Sequence, residues 1–168
     1  MDILDQLKKA GLTAAMINDA LIEKVPEKFE EKLASLKSMA KENTDYKVFL
    51  VHGEDSPVKD QFCAAFMKWY MITFNKTGRW MQIAAPFDEN LGLAGITVFP
   101  ATYLYSPLMA KQLATVIREK LPMGRAFILC STNKESYDET FGKEFMAFVS
   151  HASLSIEVSV PRKTISVI

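Results

Sequence analysis

From residue 46 onward, the sequence alternates short apolar segments with longer segments of helical periodicity. The apolar segments are YKVFLVHG (46–53), RWMQIAA (79–85), AGITVFPA (94–101), RAFILCST (125–132) and LSIEVSV (154–160). Helical patterns lie between them over 57–78, 106–124 and 143–152. Several of the apolar segments have no polar face, which is typical of strands covered on both sides. The pattern predicts an α/β fold with a doubly wound, mostly parallel sheet of about five strands and flanking helices.

Residues 1–44 carry a different pattern. Their apolar positions recur at intervals of three and four residues, with breaks near Gly11 and at Pro26, which predicts two or three amphipathic helices. We therefore expect a short N-terminal helical arm over 1–44 and an α/β domain over 45–168. The apolar face of the arm must be covered, either by the following domain, which is favoured, or by a second copy of the chain.

Charge and composition limit the classes of partner. Twenty Lys and Arg residues balance twenty Asp and Glu residues without segregation, so no nucleic-acid surface is expected. The sequence has no apolar run long enough to span a membrane and no signal or transit peptide, so a cytoplasmic location is expected. Cys63 and Cys130 fall in a predicted helix and a predicted strand, where buried free thiols are favoured over a disulfide or a metal site.

The turn GEDSPVKD (53–60), between the first strand and its helix, has the outline of a phosphate-binding loop. Gly53 and Lys59 keep the spacing of the G-x-x-x-x-G-K-[ST] motif, whose amides and lysine surround phosphates. Its interior departs from the motif. Val58 replaces a glycine, Pro57 lacks an N–H, and Asp55 adds a carboxylate that would face a phosphate. These residues favour a degenerate loop over a working one.

Further segments extend the comparison beyond this loop. GEDSPVKD matches a G-E-x-G-x-G-K-E motif at Gly53, Glu54, Lys59 and Asp60, and FILCSTNK matches a sensor strand that retains Asn133. IAAPFDENL, AGITVFPATYLYSPLMAKQLATVIRE and FGKEFMAFVSHASLSIEVSVPRK follow with matching order and spacing. Over roughly residues 46–163 the chain thus resembles the AAA+ ATPase domain of sigma-54-dependent transcriptional activators. The resemblance implies an AAA+, P-loop NTPase-like core.

The sequence departs from this family at the residues and segments that carry its function. The Walker B Asp-Glu corresponds to Pro100 and Ala101, and two arginines thought to serve a neighbouring subunit correspond to Gly142 and Phe148. Residues 90–95 leave no room for the insertion that contacts sigma factor, and the helical lid has no counterpart. Phosphoryl transfer depends on positioning and charge stabilisation, so these losses imply a protein that does not hydrolyse ATP.

We therefore predict a non-catalytic AAA+-like protein, a pseudo-ATPase that acts as a regulator or scaffold through protein–protein interaction, in a bacterial setting related to sigma-54-type transcription. Its partner would be an AAA+ relative or the chain itself, as a monomer or dimer. Gly53, Lys59, Asp60 and Asn133 would be vestigial nucleotide-binding residues, with no catalytic residue, metal or cofactor.

Two alternatives remain open. The first is a nucleotide-binding P-loop ATPase with a divergent site, in which Lys59 and Asn133 contact phosphate and Asp60 or Asp55 holds magnesium through water. The second is a DNA-associated accessory factor, which would require a basic patch.

Overall fold

The structure, a computed structural model, describes residues 2–83 and 85–159. The described strands are β1 Val48–His52, β2 Gly78–Trp80, β3 Ile96–Phe99, β4 Ala126–Ser131 and β5 Ser153–Glu157. The described α-helices are α1 Ile3–Ala10, α2 Ala14–Leu21, α3 Glu27–Glu42, α4 Pro57–Phe74, α5 Pro107–Lys120, α6 Ser136–Phe141 and α7 Lys143–Val149. The strands form one parallel sheet in the order β2-β3-β4-β1-β5. The predicted α/β fold with a doubly wound parallel sheet of five strands is confirmed.

The strand order places helices on both faces of the sheet. From β1 the chain crosses through α4 to the edge strand β2, then returns through β3 and β4 and passes β1 to reach β5. Crossovers between parallel strands are right-handed, so connections that run in opposite directions put their helices on opposite faces. Accordingly, α4 covers one face, and α5, α6 and α7 cover the other.

Alternate residues along each strand contribute to two cores. In β1, Phe49 and Val51 belong to the core beneath α4, whereas Val48 and Leu50 belong to the core beneath α5, α6 and α7. All four side chains are buried. The strand is therefore apolar at successive positions because both of its faces are covered.

The N-terminal segment forms three helices whose apolar faces are buried within the chain. Gly11 ends α1 in the left-handed conformation with φ of 95°, and Pro26 directly precedes α3. Side chains from all three helices, including Leu7, Ile17 and Leu33, share the core beneath α4. This segment thus packs against α4 and also reaches the sheet, where α1 contacts β2 and α3 contacts β5.

The end of α4 differs from the predicted end at residue 78. The helix stops at Phe74 because Asn75 takes the left-handed conformation, with φ of 53°, that terminates helices. Gly78 instead begins β2, where a Cβ atom would lie 2.6 Å from the Sδ atom of Met71. A larger residue at this position would therefore require the Met71 side chain of α4 to shift.

Three other elements differ from the sequence-based expectation. β2 ends at Trp80, well before residue 85. Just beyond it, the N–H of Met81 still donates a hydrogen bond to the C=O of Val98 in β3 at 2.9 Å. α6 was not predicted, because its short segment is largely polar. β5 ends at Glu157, whereas residue 160, the end of the predicted last strand, lies outside the described residues.

Two expectations from composition concern thiols and membranes. Cys63 on α4 and Cys130 on β4 are buried, as predicted, and no disulfide joins them. Within the described part of the chain, no helix combines the length and apolar character needed to cross a bilayer.

Candidate functional site

The carboxyl ends of the parallel strands form one edge of the sheet, called the carboxyl edge below, and the turn after β1 lies there. Gly53 begins this turn with φ of 145°, and its N–H donates to the C=O of Ser131 at 3.0 Å. A Cβ atom on Gly53 would lie 1.9 Å from the carbonyl oxygen of Val158, in the segment that follows β5. Glycine is therefore required here by the close approach of this chain's own backbone.

The N-terminus of α4 is capped by a side chain of the same turn. Ser56 precedes the helix, and its Oγ accepts a hydrogen bond from the N–H of Lys59 at 3.3 Å. Pro57 occupies the first helical position and has no N–H. Two of the amides available to a phosphate in a working loop are thus lost here, because Pro57 has none and that of Lys59 is bonded to the cap.

The side chain of Lys59 is directed into the protein. It is only 1% exposed, and its Nζ donates to the C=O of Gly53 at 3.0 Å, the C=O of Ser131 at 3.3 Å and Oδ1 of Asp55 at 2.7 Å. An ammonium group has three N–H donors, so these acceptors satisfy all of its hydrogen-bonding capacity. The charge is buried, paired and fully hydrogen-bonded, which is the arrangement that makes a buried ion tolerable.

Asp55 links this ammonium to a neighbouring loop. Its second carboxylate oxygen, Oδ2, accepts a hydrogen bond from the hydroxyl of Tyr103, which lies between β3 and α5. Partial burial by itself raises the pKa of Asp55, but hydrogen bonds from Lys59 and Tyr103 and the Lys59 charge outweigh it and lower the pKa below its usual value. The same hydrogen bond, with some burial, raises the pKa of Tyr103 to about 12. The carboxylate is therefore anionic, and it contacts the lysine as a phosphate oxygen would.

Asp60 lies on the rim of an adjacent cavity. Desolvation raises the pKa of its carboxyl above the usual value, although nearby Lys59 opposes this and much of the side chain remains exposed. The cavity has a volume of about 270 Å³, and Trp80, Pro100 and Ala101 are among its lining residues together with both carboxylates. It occupies the crevice outside the strand ends, where doubly wound folds commonly bind ligands.

The end of β3 supplies no acid to this cavity. Pro100 and Ala101 follow the strand directly, and neither side chain can bind a cation or accept a proton. The next residue, Thr102, is buried and donates its hydroxyl to the C=O of Cys130 at 2.8 Å. Among the residues that the structure describes, no cluster of three or more His, Cys, Asp or Glu side chains is arranged to hold a metal ion.

Asn133 lies in the turn after β4 and makes local hydrogen bonds. Its Oδ1 accepts from the N–H of Ser136 at 2.9 Å, and its C=O accepts from the hydroxyl of Ser136 at 2.6 Å. The amide thus helps to start α6. The link from β4 to Lys59 is made instead by the C=O of Ser131.

The structure brings together only some of the residues singled out by sequence. Gly53 and Lys59 are in direct contact, whereas Asp60 lies on the cavity rim and Asn133 serves the next turn. Sequence reasoning missed Ser131 and Tyr103 as partners of this cluster. The spacing of four residues between Asp55 and Lys59 was a usable signal, because a carboxylate just before a helix can reach a lysine in its first turn.

No protein-family model matches this chain, and no curated protein matches it significantly.

Proposed function

We propose that this protein is a non-catalytic AAA+-like regulator or scaffold, a pseudo-ATPase that acts through protein–protein interaction in the cytoplasm. The sequence resemblance to sigma-54-dependent activators supports a role in related transcription regulation, with an AAA+ relative or a second copy of the chain as partner. The balanced charge of the chain argues against a nucleic-acid partner.

The bonding of Lys59 is the observation that carries this proposal. In a working P-loop the lysine neutralises phosphate charge. Here the ammonium bonds to two backbone carbonyls and to the Asp55 carboxylate. A nucleotide would have to displace a bonded internal carboxylate and would also meet its negative charge. The Asp55 carboxylate thus acts as a built-in substitute for the phosphate anion.

The end of β3 gives independent support. ATP hydrolysis in P-loop enzymes needs an acid there to hold the magnesium shell and position water. Pro100 and Ala101 occupy this place and provide neither function. Even a nucleotide that reached Lys59 would therefore lack this part of the catalytic machinery.

One observation favours the alternative, a nucleotide-binding P-loop ATPase with a divergent site. The Asp55 side chain is 49% exposed and borders the cavity of about 270 Å³, so an outward rotation of this side chain would release one of the three acceptors of Lys59 without unfolding α4. Lys59 and the helix N-terminus would then face the crevice together.

Thermal unfolding with magnesium and ATP or ADP separates these proposals. If the wild-type protein binds nucleotide, a concentration of 100 times the dissociation constant stabilises it by about 2.7 kcal/mol, or roughly 5–10 °C in melting temperature. We expect no shift for the wild-type protein. A shift that is present in the wild-type protein and absent from Lys59→Met would overturn the pseudo-ATPase proposal.

The Asp55→Ala variant sharpens this test. It removes the internal carboxylate while leaving the lysine, so nucleotide or inorganic phosphate should stabilise this variant more than the wild-type protein. Asp60→Ala is the matched control, since it removes a nearby carboxylate that does not bond to Lys59. An equal response of both variants would show that Asp55 has no special blocking role.

A further inference from the structure

Two cysteine side chains lie next to each other between α4 and β4. The Sγ atoms of Cys63 and Cys130 are 3.5 Å apart, and neither residue is more than 2% exposed. A disulfide requires an S–S distance of about 2.05 Å, so the sulfur atoms would need to approach by roughly 1.5 Å. Side-chain rotation with a small backbone adjustment can supply a movement of this size.

We propose that Cys63 and Cys130 form a redox site, in which an intramolecular disulfide links α4 to β4 when the protein meets a small peroxide. This inference does not rest on the proposed function. It would make the chain responsive to oxidising conditions through a covalent bond between two layers of the fold.

The reaction with hydrogen peroxide is balanced. The thiolate of one cysteine attacks a peroxide oxygen, the O–O bond breaks, and a sulfenic acid and hydroxide form. The sulfur of the second cysteine then attacks the sulfenic sulfur, the S–O bond breaks and the disulfide forms. In total, two thiols lose two electrons and two protons, and one peroxide is reduced to two water molecules.

The position of the pair connects it to the Lys59 cluster. Cys63 lies one helical turn after Lys59 on α4, and Cys130 directly precedes Ser131, whose C=O accepts from Lys59 Nζ. The disulfide would therefore join the two elements that hold the ammonium. Oxidation would hold α4 and β4 together one helical turn from the ammonium.

Burial controls the rate of this reaction. The hydrogen bond with Cys130 and desolvation raise the pKa of the Cys63 thiol, so little thiolate exists while the core is closed. Peroxide must then react during local opening of α4. We expect slow oxidation at neutral pH that accelerates in urea well below the unfolding transition.

The experiment treats the full chain with hydrogen peroxide, removes the peroxide with catalase, and alkylates remaining thiols with N-ethylmaleimide in denaturant. We expect an intact mass lower by two hydrogen atoms, no alkylation, and a dithiothreitol-sensitive cross-link between the tryptic peptides DQFCAAFMK and AFILCSTNK. The oxidised protein should melt several degrees higher than the reduced protein, since the bond closes a long loop.

Other outcomes would overturn the proposal. These are alkylation of both cysteines after exposure that oxidises exposed methionines, over-oxidation to sulfinic acid without a cross-link, or a disulfide only between two molecules. Cys63→Ala and Cys130→Ala serve as controls that should lose the gain in melting temperature. The mass measurement on the wild-type chain decides the question even if neither variant folds.

Discussion

The turns after β1 and β4 lie beside each other on the carboxyl edge but are held by different interactions. His52, the last residue of β1, pairs in register with Ser131, the last residue of β4. The first turn is organised around the buried Lys59 ammonium and its ion pair with Asp55. The second is organised around neutral groups, with Asn133 accepting from the amide of Ser136.

The two turns should therefore differ in the substitutions that they tolerate. A buried charge depends on every partner, because removing one leaves groups that cannot regain water. A neutral cap can be lost for about 1 kcal/mol. The β1–α4 turn should therefore be sensitive to single substitutions and to pH, whereas the β4–α6 turn should be sensitive to neither.

Gly53→Ala should have the largest effect, with a loss of about 4 kcal/mol in unfolding free energy. The added Cβ would lie 1.9 Å from the Val158 carbonyl oxygen, and φ of 145° is unfavourable for alanine. Urea unfolding measures the loss. Gly124→Ala is the matched control, because φ is 82° there and nothing lies within 4 Å of the added atom. Equal losses at both sites would contradict the close approach of the segment after β5.

Lys59→Met should cost about 3 kcal/mol, since it removes the ammonium donor from the buried Gly53 carbonyl and one of two donors from the Ser131 carbonyl and the Asp55 carboxylate. The methionine keeps most of the buried volume, so the loss reports on polar interactions. Lys111→Met, on the exposed surface of α5, should change stability by less than about 0.5 kcal/mol. A Lys59 variant as stable as this control would mean that the ammonium is not integral to the turn.

The acid dependence of stability should come partly from Asp55. Its pKa is lowered in the folded protein, so its stabilising contribution is present above the unfolded pKa and is lost as pH falls through the folded pKa. Urea unfolding between about pH 7 and pH 3 should therefore show a steeper acid loss for the wild-type protein than for Asp55→Asn.

Asp60→Asn is the control, because the pKa of Asp60 is shifted in the opposite direction to that of Asp55. The raised pKa of Asp60 means that its ionisation opposes folding as pH rises through the unfolded value. Its replacement should slightly increase stability at neutral pH. If both variants changed the acid loss in the same direction, the assignment of the Lys59 ion pair to Asp55 would be wrong.

Among the substitutions that remove a hydrogen bond, Asn133→Ala should have the smallest effect, a loss of about 1 kcal/mol from the missing bond to the Ser136 amide. This loss should be the same at pH 7 and pH 4, because no charge is involved. If the wild-type protein were stabilised by nucleotide and this variant were not, Asn133 would have a sensor role instead.

The sheet could be predicted because its signal is local. Successive apolar residues such as Val48 to Val51 indicate strands covered on both faces, and the alternation of such strands with helical periodicity indicates parallel pairing. The ends of the elements could not be read from local periodicity. The predicted helix ran to Gly78, but in the structure Gly78 begins β2 and packs against Met71 of α4. The short helix α6 has too little apolar periodicity to be recognised.

The candidate site was only partly predictable, because spacing does not determine the direction of a side chain. The interval from Gly53 to Lys59 is the same whether the ammonium faces a ligand or the interior. Tyr103 and Val158, which complete the cluster and explain the glycine, are distant in sequence and reach the turn only through the fold.

Whether Lys59 is closed to nucleotide can be read from a ¹H–¹⁵N NMR spectrum of its ammonium group, titrated with magnesium ATP and assigned with Lys59→Met. We predict a signal that is protected from solvent exchange, because all three donors are bonded, and that does not move as nucleotide is added. A saturable shift of this signal with ATP would contradict the account and place a nucleotide site at the β1–α4 turn.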